Sequence, residues 1–204
     1  IRDFCLSRGL GDVYKRQQER RAGVRPALSA GIGVAPSSGS IPTGTSSVHG
    51  GNMDVAVITK GSRVYLPVFV KGALLALGDL HVLQADGEIC VAAAEISGKV
   101  TVKIDVIKGR KPSLPLVETQ THIHVIGFGE DLDEAAQKAT EVAVQGLMKE
   151  YSLDFEEAYM LASLAVDLRI NQAVDPAKGV RASIPKNLIS VSYTHLTLPT
   201  IYSV

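Results

Sequence analysis

Three short stretches of the sequence bring together histidine and acidic side chains that could bind a metal ion. They are His49-Gly-Gly-Asn-Met-Asp54, Gly78-Asp79-Leu80-His81 and Gln84-Ala-Asp86-Gly-Glu88. Asp79 and His81 are two positions apart, so on an extended segment both side chains point to the same side. Carboxylate oxygens combined with imidazole nitrogen suit a divalent ion such as Zn²⁺ or Mn²⁺. The spacing therefore indicates a candidate metal site in loops punctuated by glycine.

Such a site would suit hydrolysis. A divalent ion polarises a carbonyl group and lowers the pKa of bound water from about 15.7 to about 7, and a spare carboxylate can move protons to a departing amine. The structural alternative is that Asp86-Gly87 forms a turn, Asp54 caps a loop and His81 is a hydrogen-bonded histidine of the core. Spacing alone leaves both interpretations open.

The elements that must position these residues are mostly strands. Residues 26–54 are rich in Gly, Ser and Pro and are predicted to be mostly loop. Residues 64–70 and 89–96 are apolar runs, and residues 99–106 alternate polar with apolar side chains; all three predict strands. Ser97-Gly98 is a plausible hairpin turn between the last two.

The C-terminal third predicts a strand, two helices and a returning strand. Residues 121–128 alternate, with Ile123 and Val125 facing away from His122 and His124. Residues 131–149 repeat small and apolar side chains at helical spacing. Asp154 and Glu157 form a capping-box pair at the start of a second helix, whose apolar face is Phe155, Ala158, Tyr159, Ala162 and Val166. Residues 168–174 predict a strand. We expect an ion pair between Asp167 and Arg169, and substrate binding by the two is the alternative.

These elements predict an α+β fold with β-rich, largely antiparallel sheets followed by two helices and a returning strand. We expect two parts: residues 18–118, which are β-rich and carry the candidate site, and residues 119–189, which form an α+β part. The 21 basic and 21 acidic residues give a formal net charge of zero, which argues against nucleic-acid binding. No apolar stretch is long enough to span a bilayer, and low cysteine usage favours the cytoplasm.

The two ends of the chain have a different character. Asp12-Val-Tyr-Lys-Arg-Gln17 and Val191-Ser-Tyr-Thr-His-Leu196 can be encoded by the two strands of one short inverted DNA repeat, which resembles the transposase end of sequencing adapters. We therefore expect residues 1–17 and 190–204 to be non-native translated adapter, and no fold argument is based on them. A targeting peptide is the alternative for residues 1–17, but they lack the apolar run of a secretory signal.

The metal-binding motifs also resemble the core signature of the acetamidase/formamidase family. The resemblance runs from about residue 31 to residue 185. Its motifs are His49-Gly-Gly-Asn-Met-Asp54, Tyr65-Leu-Pro-Val-Phe-Val70, Leu77-Gly-Asp-Leu-His81 and Asp86-Gly-Glu88, continued by Thr121-His122, Asp131-Leu-Asp-Glu-Ala135, Glu157-Ala-Tyr-Met-Leu161, Asp167-Leu-Arg169 and Gln172-Ala-Val-Asp-Pro176. The sequence departs from the family at Ala85, where glycine is commoner, and it lacks the family's N-terminal β-rich portion.

This resemblance implies a cytoplasmic, homo-oligomeric hydrolase of small linear amides that is assisted by a divalent metal, Zn²⁺ being the expected ion. Asp54, Asp79 and His81 would be the metal ligands. Glu88 would be the general acid/base, and His49 would bind metal or orient the substrate. The alternatives are a non-catalytic metal or small-molecule binding module, and an inactive fragment that lacks the N-terminal half.

Overall fold

The structure is a computed structural model that describes residues 31–109 and 111–188. Residues 1–17 and 190–204, which we expect to be translated adapter, lie outside the described residues. In chain order the described elements are β1 (Gly31–Gly33), β2 (Ser46–Ser47), β3 (Gly50–Asn52), β4 (Arg63–Tyr65), β5 (Ala76–Gly78), β6 (His81–Leu83), β7 (Ala94–Glu95), β8 (Leu116–Glu118), β9 (His122–Gly129), α1 (Leu132–Tyr151), α2 (Phe155–Ala165), β10 (Asp167–Gln172) and β11 (Lys178–Pro185).

The largest sheet is antiparallel and has the strand order β10-β11-β9-β8-β4. Its central strand, β9, buries side chains on both faces. Ile123 and Val125 pack with the helices in one core cluster, whereas Ile126 and Phe128 belong to a second cluster on the opposite face. The predicted α+β fold with largely antiparallel sheets is confirmed. Two strands, rather than one, return after the helices, and they form the hairpin β10–β11.

Both helices begin close to the predicted positions, and the cap predicted at Asp154 is confirmed. The side chain of Asp131 accepts a hydrogen bond from the backbone N–H of Glu134, and Asp154 starts α2 with a complete capping box. The predicted apolar face of α2 is only partly correct. Ala158 is fully buried, but Phe155 and Tyr159 are more than half exposed. None of the helices in the described ranges has the length and apolarity that crossing a membrane requires.

Residues 31–54 are mostly loop, as predicted, but they also contain the short strands β1, β2 and β3, which the sequence did not indicate. These short strands form a second sheet in the order β2-β3-β1-β5. Several of the paired positions are glycines, such as Gly31, Gly33, Gly50 and Gly51. Glycine contributes no side chain to a period-two pattern, so a strand made of it gives no signal in the sequence.

Three other strand predictions are wrong in extent. Strand β4 ends at Tyr65, just before Pro67, which has no N–H to donate to a ladder. Residues 89–96 contribute only β7, and Ile89 is 82% exposed rather than buried. Residues 99–106 are not in a strand, so Ser97-Gly98 closes no hairpin. Among the described elements β7 pairs with β6 alone, and an alternating segment without a neighbour to pair with does not form a strand.

Candidate metal centre

The structure brings the three predicted metal ligands together. One ligand atom each from Asp54, Asp79 and His81 lies within 4.8 Å of the others. Asp54 follows β3, Asp79 lies between β5 and β6, and His81 is the first residue of β6. Asp54 and His81 are buried, whereas the side chain of Asp79 is 39% exposed. Two of the three candidate ligands are therefore fixed in the protein interior, and the third, Asp79, is accessible from solvent.

The backbone at the acidic residues of this cluster is unusual. Asp54, Asp79 and Glu88 have φ angles of 50°, 57° and 39°, in the left-handed region that residues with a side chain seldom adopt. Such conformations persist only where surrounding contacts hold them, and they concentrate at functional sites. Their occurrence at three predicted site residues favours function over a purely structural role.

A buried glutamine orients the imidazole ring of His81. The Nε2 amide of Gln84 donates to the backbone carbonyl of Asp54 at 2.7 Å, which turns Oε1 of Gln84 toward Nδ1 of His81 at 3.2 Å. Since Oε1 can only accept, Nδ1 must carry a proton. The opposite nitrogen, Nε2, lies 3.0 Å from Oδ1 of Asp79. Nδ1 thus has the fixed acceptor that the second nitrogen of a metal-binding histidine usually has, and Nε2 faces the carboxylate of the other candidate ligand, Asp79.

Four carboxyl groups interact around this point. The amide Nδ2 of Asn52 donates to Oδ2 of Asp54 at 2.9 Å and to Oδ2 of Asp175 at 2.8 Å. Burial, together with repulsion from Glu88 and Asp175, raises the pKa of Asp54 to about 9. Burial is also the main cause that raises the pKa of Glu88, with repulsion from Asp175 and Asp79 adding to it.

These shifts have a simple electrostatic meaning. Crowded carboxylates without a positive charge among them retain protons, because like charges at short range cannot all ionise. A divalent cation would favour the ionised forms, and two carboxylates with one imidazole are a suitable donor set for Zn²⁺ or a similar ion. The residues present therefore fit a divalent metal.

His49 lies on the glycine-rich side of the centre. Its side chain is buried, and its Nδ1 atom has no hydrogen-bond partner among the described residues. Burial lowers the pKa of His49, which favours the neutral ring. His49, Asn52 and Asp79 line one cavity of about 680 Å³, whose other walls are largely apolar. His49 is thus a residue of the cavity lining whose buried Nδ1 atom lacks a protein partner, and such an atom calls for a structural or functional explanation.

The remaining candidates have other roles. Asp86 does not join the metal cluster, and its carboxylate pairs with Nη2 of Arg181 at 2.7 Å. The predicted contact between Asp167 and Arg169 is present at 3.9 Å. His122 stacks on His124 with ring centroids 5.6 Å apart, and Nδ1 of His124 contacts the hydroxyl of Ser183 at 2.9 Å.

Sequence reasoning did not assign a role to Asn52, Gln84 or Asp175. Asn52 and Gln84 lie inside the motifs, but their polarity alone does not show that they contact site residues. Asp175 lies 123 positions from the Asn52 amide that binds it, so the separation gave no signal. The motif Gln172-Ala-Val-Asp-Pro176 was the only indication that this turn belongs near the site.

The chain is similar to known proteins over most of its length. Residues 33–191 match the Acetamidase/Formamidase family. Over 61 residues the chain is 52% identical to a formamidase of Methylophilus methylotrophus, and over 62 residues it is 50% identical to an acetamidase of Mycolicibacterium smegmatis; these stretches cover 29% and 30% of this chain and 15% of each relative.

Solved structures extend the similarity to most of the chain. A protein described as a predicted acetamidase/formamidase, from Thermoanaerobacter tengcongensis, superimposes with a TM-score of 0.78 at 44% identity, over 81% of this chain and 55% of that one. An acetamidase from Bacillus halodurans gives 0.78 at 43% identity, over 86% and 58%. The chain thus spans little more than half the length of these structures, and the matched stretches are a much smaller share of the curated relatives.

Proposed function

Because this chain belongs to the acetamidase/formamidase family, we propose that it hydrolyses a small linear amide to a carboxylate and ammonia. We propose that a divalent cation held by Asp54, Asp79 and His81 assists the reaction. The observation that carries this proposal is the 4.8 Å cluster of their ligand atoms. Glu88 lies beside it, where its Oε2 accepts from Nε2 of Gln84 at 3.4 Å.

The cation would polarise the amide carbonyl and acidify water at neutral pH. The residues around it supply positioning and proton transfer. Gln84 fixes the ring of His81 from behind, so that Nε2 faces the centre. The carboxyl of Glu88 has a raised pKa, which suits a group that accepts a proton from water and donates it to the leaving amine. The neutral ring of His49, at the cavity wall, orients the substrate.

The ion and the assembly are proposed from separate observations. We propose Zn²⁺ because imidazole with two carboxylates is a common Zn²⁺ donor set. We propose a homo-oligomer because α2 exposes Phe155, Tyr159, Met160 and Leu164, an apolar surface of the kind that subunits cover.

The test is cation-dependent ammonia release by the purified chain. After chelation and reloading with Zn²⁺, Mn²⁺ or Mg²⁺, we expect about one ion per chain and release of ammonia from formamide or acetamide only in the loaded protein. Asp79→Asn should lose both the bound ion and the ammonia release. Asp105→Asn is the matched control, because Asp105 is an exposed acidic residue in the segment after β7.

The outcomes separate the alternatives. Cation binding without ammonia release from any short amide would favour a binding module, or a chain that requires further sequence for turnover. Equal ammonia release with and without the cation would reject the metal-assisted mechanism. Failure to bind any of the three ions would reject the metal centre itself.

A further inference from the structure

A buried arginine lies behind the loop that carries Glu88. Arg181, on β11, is 1% exposed and has two hydrogen-bonded acceptors. Its Nη2 atom donates to Oδ2 of Asp86 at 2.7 Å, and Nη1 donates to Oδ1 of Asn171 at 2.7 Å. Its Nε atom has no partner among the described residues. Compensation of this buried charge therefore rests on two contacts, one to the loop and one to strand β10.

The strand register adds an electrostatic requirement. Arg181 lies directly opposite Arg169 in the β10–β11 pair. Like charges at facing positions of an antiparallel pair repel each other. Both guanidinium groups turn to the same oxygen of Asp86, at 2.7 Å for Arg181 and 3.8 Å for Arg169. The carboxylate of Asp86 is thus held by charge from two strands, with the stronger contact on the buried side.

Backbone hydrogen bonds also join the loop that carries Glu88 to the end of β10 and the residue after it. The N–H of Gly87 donates to the carbonyl of Asn171 at 2.9 Å, and the N–H of Ala173 donates to the carbonyl of Gly87 at 3.1 Å. Gly87 also forms a bridge with Gln172. Glu88 follows at once with a φ of 39°, a conformation that needs support from its surroundings. The clamp between Arg181, Asp86 and Asn171 supplies that support, because Asp86 lies two positions before Glu88.

We propose that Arg181 is a positioning residue that acts through this clamp on the orientation of the Glu88 carboxyl. The same clamp also fixes the start of the turn that carries Asp175. Asn171 is followed by Gln172, and Oε1 of Gln172 accepts from the backbone N–H of Asp175 at 3.0 Å. The inference rests on the proposed function for its catalytic consequence. The positioning itself is a statement about the fold, and it is tested separately.

The geometry explains why an arginine is required. Two acceptors on different segments lie at two nitrogens of one planar group, and the fork of a guanidinium can serve both at once. A lysine supplies the charge from a single point. Arg181→Lys should therefore retain the pairing with Asp86 and lose the simultaneous contact with Asn171.

The first experiment measures hydrogen exchange of the Gly87 and Ala173 amides in the purified chain. Arg181→Met should accelerate their exchange at least about tenfold, because opening of the loop then costs less. Arg181→Lys should give an intermediate acceleration and covers the case in which the methionine variant does not fold. Arg169→Met is the matched control, since it removes a half-exposed arginine that contacts the same Asp86 oxygen, and it should change exchange less than about twofold. Unchanged exchange in both Arg181 variants overturns the proposal.

The second experiment is a double-mutant cycle on kcat for ammonia release. Arg181→Lys should lower kcat roughly tenfold to a hundredfold with little change in KM, as expected when a proton-transfer group is misplaced. If Arg181 acts through Glu88, adding Arg181→Lys to Glu88→Gln lowers kcat no further. Effects that multiply would show that Arg181 acts elsewhere and overturn its link to Glu88. Full activity of Glu88→Gln alone would instead reject the proposed role of Glu88, and the exchange data would still decide the positioning.

Discussion

Gly33 and Gly51 approach each other so closely that a Cβ atom at Gly33 would lie 2.7 Å from the backbone nitrogen of Gly51. The same Cβ would lie 3.0 Å from the carbonyl oxygen of His49. Strand β1 therefore packs on the backbone of the first metal-site motif, with no space for a side chain between them. The position of His49 depends on this contact.

We expect Gly33→Ala to destabilise the protein by about 1–3 kcal/mol, the usual range for overpacking, because backbone atoms cannot move aside as a flexible side chain would. Gly44→Ala is the control, since a Cβ at Gly44 would meet nothing within 4 Å. Urea unfolding of both variants gives the measurement. Equal free energies of unfolding for the two variants would show that β1 can shift without cost.

Glu88→Gln should lower kcat for ammonia release by roughly 10²–10⁴-fold, the range for loss of a general acid/base. The amide keeps the shape of the side chain but cannot transfer the proton. Cation affinity should change little, because Glu88 is outside the three-residue ligand cluster. Steady-state kinetics and a cation titration check the two parts, with Glu95→Gln on strand β7 as the control. Retention of full kcat would remove Glu88 from the chemistry.

Gln84→Met should weaken cation binding by roughly 10–100-fold, the usual effect of losing the group that orients a metal-binding histidine. Methionine has a similar length, but its thioether sulfur is only a weak acceptor for the N–H at Nδ1 of His81. Calorimetric titration of Zn²⁺ into the metal-free protein measures the loss. Gln137→Met is the control. Gln137 is exposed on α1, and its side-chain amide donates to Oε1 of Glu141, one turn further along the helix. Identical affinities for the two variants would contradict the orienting role.

The sequence predicted those parts of the site that local spacing determines. Asp79 and His81 are adjacent on one extended segment, so their proximity follows from backbone geometry. The starts of the two helices also depend on contacts between near neighbours in the sequence. The side chains of Asp131 and Asp154 each accept from a backbone N–H three residues further on. Asp175 could not be placed in this way, since it lies 123 positions from Asn52 and the two meet only through the tertiary fold.

Strand predictions failed where pairing decides the outcome. Residues 99–106 have the alternation of a strand, but no described strand pairs with them. Conversely, β1 has almost no apolar signal and forms a strand because β3 and β5 flank it. Alternation states which side chains suit a sheet, whereas a strand needs a neighbour that supplies its hydrogen bonds.

His124 makes stability depend on pH. Burial, with repulsion from Arg181 and His122, lowers the pKa of His124 to about 3. In the unfolded chain a histidine has a pKa of about 6.5, so the unfolded state takes up this proton at a higher pH than the folded state. The contribution of the neutral ring to stability is therefore fully present above about pH 6.5 and is lost progressively as the pH falls toward 3.

We expect His124→Asn to lose less stability than the unsubstituted chain between about pH 6.5 and about pH 4.5, because asparagine does not titrate. At about pH 7 the variant should be the less stable of the two, since the contact of the ring with Ser183 is lost. Free energies of unfolding in urea at a series of pH values give both curves. His122→Asn should reduce the pH dependence less than His124→Asn does, because repulsion from His122 is a smaller cause of the lowered pKa of His124 than burial. Parallel curves for His124→Asn and the unsubstituted chain would mean that His124 takes up its proton equally in the folded and unfolded states.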